Sequence, residues 1–227
     1  MKKIVVLTGA GMSAESGLKT FRDSDGLWEN HNVYDVATPE AWERDPEMVL
    51  KFYNERRKQV RDAKPNKAHV ALGKLEEKYD VHIITQNIDN LHERAGSTQV
   101  IHLHGEVNKA RSSIDSGLVY ELDHWEMKLG DLCEKGSQLR PHIVWFGEPV
   151  PMIEKAIPIV EMADRVIVIG TSLAVYPAAG LLNYATPSSK KYYIDPKGFE
   201  GDNHYPFVII KETAGVGVPR LVDQLLQ

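Results

Sequence analysis

Two histidines, an amide–acid cluster and a glycine-rich loop carry most of the chemistry available to this sequence. His102 and His104 stand two apart, so on a strand they share a face. His104 precedes Gly105, where a ring can reach a crevice, and imidazole is the natural general base near neutral pH. His102, like His69, His82, His92, His124 and His142, is expected to be a hydrogen-bonded structural histidine. Gln86-Asn87-Ile88-Asp89 gathers amide and acid side chains suited to sugar hydroxyls or a carboxamide, although Asp89 could simply cap a following helix. Gly9-Ala10-Gly11-Met12-Ser13-Ala14-Glu15-Ser16-Gly17 reads as a strand turning into a helix. Glycines let backbone amides approach a pyrophosphate, and a helix N-terminus favours the anion. The spacing departs from the common G-x-G-x-x-G dinucleotide fingerprint, and an ordinary tight turn would read the same way. Thr20-Phe21-Arg22 adds charge-assisted donors and an aromatic that could cover a reactive ring face.

A discordant charge sits further along. Val49, Phe52, Tyr53, Arg56 and Val60 follow helical spacing and form an inward stripe. A buried arginine needs an anionic partner, which could be a structural carboxylate or the acid group of a ligand. Arg57, Lys58, Arg61 and Lys64 read as a solvated face. Arg140 to Glu148 reads as an extended segment, either a core strand or a free edge able to accept a peptide by strand addition.

These residues need elements to position them. Ile4–Leu7, Val81–Ile84, Val100–Leu103, Val166–Ile169 and Tyr192–Ile194 are short apolar runs, each ending in a polar or glycine-rich cluster. An open parallel sheet binds ligands at the carboxyl ends of its strands, so these ends predict one shared site, most simply for a nucleotide. Helices are expected over about 46–63, 65–79, 88–95, 177–184 and 216–226. The predicted fold is α/β: a Rossmann-like parallel sheet flanked by helices, with a small lobe formed by two insertions. The 227 residues are expected to form one domain, its large lobe about 1–22, 64–108 and 139–227, its small lobe about 23–63 and 109–138. The net charge of −5 argues against nucleic-acid binding, and one cysteine, Cys133, excludes an internal disulfide framework. No run has the length of a signal-peptide core or a membrane span, so the cytoplasm is the expected compartment.

As a set, the order G-A-G-x-S-x-x-S-G, T-F-R, Q-N-I-D, H-G, R-P-x-x-V-x-F-G-E, G-T-S closely resembles the sirtuin family of NAD-dependent protein deacylases, from Gly9 to the carboxyl terminus. The resemblance implies that NAD and an acyl-lysine enter a cleft between the lobes. It implies His104 as general base, Asn87 at the nicotinamide ribose and Asp89 at the carboxamide. Gly9, Ala10, Gly11, Glu15, Thr20, Phe21, Arg22, Trp28, Gln86 and Ile88 would line the NAD pocket. Gly170, Thr171, Ser172, Asp195 and Ala214 would meet its phosphate and adenosine end, and Val144, Phe146, Gly147 and Glu148 would flank the peptide. The implied reaction has the acyl oxygen attack the ribose as nicotinamide leaves, giving free lysine and 2′-O-acyl-ADP-ribose.

Tyr53 and Arg56 match the Y-x-x-R pair of the branch that removes succinyl and malonyl groups, and Ala37 matches the small residue that widens its acyl pocket. Two departures stand out. The paired zinc cysteines of most sirtuins align with Ser112, Asp115, Cys133 and Gly136, so no zinc is expected. Asp195 replaces the family asparagine; it accepts hydrogen bonds but cannot donate as an amide. Acyl-lysine proteins are the expected partners, no membrane is involved, and a monomer is expected. A glycohydrolase or ADP-ribosyltransferase on the same scaffold, and a non-catalytic NAD or ADP-ribose reader, are the alternatives.

Overall fold

The computed structural model describes residues 1–19, 27–28, 31–199 and 205–227, so the predicted site residues Thr20, Phe21 and Arg22, and the Trp28 side chain, lie outside what is described. In chain order the described strands are β1 (Lys3–Thr8), β2 (Leu27–Trp28), β3 (His31–Asn32), β4 (Asp80–Thr85), β5 (Val100–His102), β6 (Gly105–Ser112), β7 (Val119–Glu121), β8 (Leu139–Ile143), β9 (Arg165–Ile169), β10 (Lys190–Ile194) and β11 (Phe207–Ile210). The helices are α1 (Val33–Val36), α2 (Pro39–Arg44), α3 (Pro46–Asp62), α4 (Lys67–Leu75), α5 (Leu91–Arg94), α6 (Met152–Glu161) and α7 (Ala214–Leu226).

Six strands form a sheet in the order β11-β10-β9-β1-β4-β5, every pair parallel. Counted by their order in the chain, these run 3-2-1-4-5-6, the Rossmann arrangement, with the reversal between β1 and β9. Its strands read as continuous apolar runs because helices cover both faces. Ile4 and Val6 face one way, with Ile83 and Ile167, onto Leu72 and Leu75 of α4 and Val218 and Leu221 of α7. Val5 and Leu7 face the other way, with Ile84 and Val168, onto Ala156 and Val160 of α6 and Leu181.

The second sheet, β7-β6-β8, is antiparallel and starts directly after His104. The expected lobe boundaries at 109 and 138 fall inside β6 and just before β8. Helix α3 lies against this sheet through Val49, Phe52, Tyr53 and Val60, which share a core with Val107, Ile143 and Trp145. Its start is fixed by Asp45, whose side chain accepts the Met48 N–H, and by Pro46 in the first turn.

Several expectations need correction. The glycine loop opens no α-helix; it forms 3-10 turns at Ala10–Met12 and Ala14–Ser16, ended by Gly17 at φ 87°. Residues 178–184 are also 3-10 helix rather than α. Strand β11 and helix α6 are additional. Ile153, Ala156, Ile157 and Val160 already carried the α6 stripe, and Phe207-Val208-Ile209-Ile210 is a plain apolar run. Among the described residues no helix is long and apolar enough to cross a membrane.

Candidate active site

The carboxyl ends of β1 and β9 meet where the strand order reverses. Gly9 N–H donates to Ile169 O and Gly11 N–H to Gly170 O, so the two loops lie backbone against backbone. A Cβ on Gly11 would stand 2.7 Å from Gly170 Cα, and one on Gly9 would stand 2.7 Å from Thr171 Cβ. The glycines are therefore required by loop–loop approach as well as by any ligand. The N-terminus of α7 reaches this cavity, through Thr213 and Ala214. The Gly215 N–H in its first turn is held by the Glu15 carboxylate at 2.6 Å.

A cavity of about 480 Å³ runs from this cradle along the ends of the strands. Gly9, Ala10, Gly11 and Glu15 line it from the first loop; Gln86, Asn87, Ile88 and Asp89 from the end of β4; and His104 from the end of β5. Gly170, Thr171, Ser172, Asp195 and Ala214 close one end. Ala37, Tyr53, Arg56, Val144, Phe146, Gly147 and Glu148 form the other. Every predicted site residue whose side chain is described thus faces one space. The size suits a small-molecule ligand site.

The polar floor is tightly organised. His104 Nδ1 lies 3.0 Å from Gln86 O, and since a carbonyl only accepts, Nδ1 carries the proton and Nε2 is the basic nitrogen. Burial lowers the His104 pKa, partly offset by this hydrogen bond. Asn87 donates from Nδ2 to Gly9 O at 3.0 Å and to Ser13 Oγ at 3.1 Å. Ser13 Oγ in turn donates to Asp89 Oδ2 at 2.9 Å, and Asp89 Oδ1 accepts the Leu91 N–H. Asp89 therefore does help to start α5, as one sequence reading had it, while also facing the cavity. Burial pushes its pKa up, against the two hydrogen bonds. His102 takes the structural role expected of it: Nδ1 donates to Asn87 O, and Nε2 meets the Glu93 carboxylate at 2.7 Å. Burial disfavours its charge, but Glu93 outweighs burial and the His102 pKa is raised.

At the other end, Tyr53 is fully buried and its hydroxyl accepts the Trp145 Nε1–H at 3.1 Å. Burial pushes the Tyr53 pKa well above the usual phenol range. Arg56, 7% exposed, donates to Gln59 Oε1 and weakly to Lys19 O. The 144–148 segment is shaped from within. Val144 N–H donates to His104 O and Phe146 N–H to Ala37 O. Glu148 accepts two bonds from Arg140, at 2.7 and 3.1 Å, two from Arg111 and one from Trp145 N–H. Burial works against the Glu148 charge, but Arg140 holds its pKa below the usual carboxylate value.

Sequence reasoning missed Ser13, which links Asn87 to Asp89, and Trp145, which orients Tyr53. Both stand inside motifs already singled out, and a serine or tryptophan there carries no sign of which partner it will meet. Where the resemblance puts zinc ligands, Ser112 Oγ accepts the Cys133 thiol at 3.4 Å and two backbone N–H groups. Asp115 pairs with Lys135 at 2.7 Å.

A Rossmann-order sheet with a glycine cradle at its switch point defines a nucleotide-binding α/β protein. Residues 9–177 match the Sir2 family, and the chain belongs to that family. It is 52% identical over 229 residues to an NAD-dependent protein deacylase of Helicobacter pylori (strain ATCC 700392 / 26695), covering 100% of this chain and 99% of that protein. It is also 52% identical over 231 residues to an NAD-dependent protein deacylase of Bacteroides thetaiotaomicron, at 100% and 99% coverage. Among solved structures, it resembles a Sir2 homologue–NAD complex with TM-score 0.89 and 41% identity, covering 99% of this chain and 90% of that one. A Sir2 homologue mutant bound to ADP-ribose aligns at TM-score 0.90 and 40% identity, with 99% and 92% covered.

Proposed function

We propose that this protein is an NAD-dependent protein-lysine deacylase that prefers acidic acyl groups, succinyl or malonyl, and also removes acetyl. The observation that carries the reading is the convergence of His104, Asn87, Asp89, the glycine cradle and the Tyr53/Arg56 pair on one cavity. The cavity fits NAD. Backbone at Gly9, Gly11 and Gly170 packs too closely for any Cβ, and the first turn of α7 borders the same space at Thr213 and Ala214. Once bound, NAD supplies an electrophilic ribose carbon and nicotinamide as leaving group.

The protein residues then have distinct tasks. Asn87 and Asp89, already fixed by Ser13, orient the nicotinamide ribose and its carboxamide. His104 Nε2 takes the proton of a ribose hydroxyl, with Nδ1 anchored on Gln86 O throughout. Thr171, Ser172, Asp195 and Ala214 hold the phosphate and adenosine end, and Val144 to Glu148 flank the peptide. Arg56 and Tyr53 meet the acyl carboxylate, where a guanidinium–carboxylate pair is strong because it is partly desolvated. Ala37 leaves room beside them. The reading includes no structural zinc, because the residues at 112, 115, 133 and 136 supply one thiol and are spent on each other and on their neighbours. It takes the protein as a cytoplasmic monomer acting on acylated proteins.

Nicotinamide release from NAD, measured with matched unmodified, acetyl-lysine and succinyl-lysine peptides, tests this. Fastest release with the succinyl peptide is expected. Release favouring acetyl would remove the acidic preference and keep the reaction. Release indifferent to peptide would replace the deacylase with a glycohydrolase.

A further inference from the structure

Helix α3 buries a second arginine, and this one faces away from the main cavity. Arg57 is 1% exposed. Its Nε donates to Val107 O, and its Nη1 donates to Trp125 O and Asn54 Oδ1, all neutral acceptors. Its Nη2 is buried with no hydrogen-bond partner. The contrast with Arg140 is internal to the molecule. That arginine is also buried, and its charge is met by both oxygens of Glu148 and by the Trp145 ring face, 3.3 Å away. Among the described residues no carboxylate pairs with Arg57. Its pKa is lowered to about 10, first by burial and then by the charge of Arg61.

The surroundings add charge of the same sign. Arg57, Arg61 and Arg94 line a separate cavity of about 260 Å³ together with Asn90 and Asn108. Arg61 and Arg94 donate to backbone carbonyls, those of Asp123, Val60 and Ala63, and among the described residues neither makes an ion pair with an acid. A guanidinium kept from water and from any anion is costly, and the cost grows with a like charge beside it. An oxyanion is the ligand that removes the cost, because a guanidinium fork matches its geometry and forms charge-assisted bonds.

We infer that Arg57, Arg61 and Arg94 form a second ligand site, at the junction of α3, α5 and β6, that takes a small oxyanion of the phosphate class. The site stands back to back with the main cavity: Val60 lines both, and Arg56 and Asp89 border one while Arg57 and Asn90 border the other. It is independent of the deacylase reading.

Inorganic phosphate is the probe, titrated calorimetrically at constant ionic strength with ADP-ribose at saturation to fill the glycine cradle. Saturable binding that weakens about tenfold or more in Arg61→Gln is expected, the loss of one charged hydrogen bond. Arg61 is exposed, so the variant keeps its fold where Arg57→Met would put folding at risk. No saturable binding, or equal affinity in Arg61→Gln, would overturn the inference. Soaking crystals with selenate locates the ion directly, whatever becomes of ADP-ribose binding. An anomalous peak within hydrogen-bond reach of Arg57 Nη2 supports the site, and peaks confined to the glycine cradle rule it out.

Discussion

His104 is set up as a base by its backbone neighbour. The Gln86 carbonyl fixes the proton on Nδ1, and burial lowers the pKa. A lowered pKa keeps the ring neutral to lower pH, so the acid limb of kcat/KM should lie below the ordinary histidine value of about 6.5. A pH–rate profile checks this, and an acid limb above that value would contradict the assignment of His104 as base. Arg56 makes a second residue-level prediction. Arg56→Met should cut kcat/KM for a succinyl-lysine peptide by about 10- to 150-fold, the worth of a charged hydrogen bond, and change the acetyl substrate much less. Equal losses on both substrates would return Arg56 to a structural role. Most of this cavity was legible beforehand, because polar clusters at strand ends converge wherever the strands are parallel. Ser13 and Trp145 were not, because their importance lies in partners distant in sequence, Asp89 and Tyr53. Arg57 was misread as solvated: its position on α3 gives no hint that β6 and the Trp125 loop cover it.

Among the elements, α3 does the most joining. Tyr53 and Arg56 face the main cavity, while Asn54 and Arg57 tie the helix to the second sheet and its Trp125–Met127 loop. Of that sheet, only the Arg140–Glu148 segment was read as extended; β6 and β7 were not, since β7 is short and largely exposed and the 113–118 connection carries little apolar pattern. The corner of this sheet near Ser112 and Cys133 closes by hydrogen bonds and the Asp115–Lys135 pair. Incubation with a strong chelator should therefore leave Tm unchanged, and elemental analysis should find no stoichiometric zinc. A Tm fall on chelation would mean that a metal braces the corner after all. Element boundaries were less legible than element existence. The glycine loop makes 3-10 turns where its glycines pack against Gly170, and helix α6 forms with Pro158 in its interior, a residue that removes one backbone hydrogen bond and argues against a helix in sequence.

For the whole molecule, the floor beneath the site rests on buried histidines, and these tie stability to pH. His69 and His92 are both 0% exposed, with ring centroids 4.9 Å apart. His92 Nε2 meets the Thr8 hydroxyl at the end of β1, and His69 Nδ1 accepts the Asn66 N–H that starts α4. Burial lowers the His69 pKa to about 4 and that of His92 well below the ordinary value. In the unfolded chain both rings take a proton near pH 6.5, while in the folded protein they stay neutral. Between those values the unfolded state binds more protons, so stability falls as pH drops from about 6.5 towards 4. For His69 alone the loss is about 3 kcal/mol, at 1.36 kcal/mol per unit. His102 acts with the opposite sign: its raised pKa adds stability that is present below about 6.5 and lost as pH rises through the raised value. Glutamine at position 69 can still accept the Asn66 N–H, since glutamine serves at this place in a capping box, but it carries no titrating ring. His69→Gln should therefore flatten the fall in the urea midpoint between pH 6.5 and 4.5 while α4 stays capped. An undiminished slope in the variant would show that acid sensitivity comes from other groups.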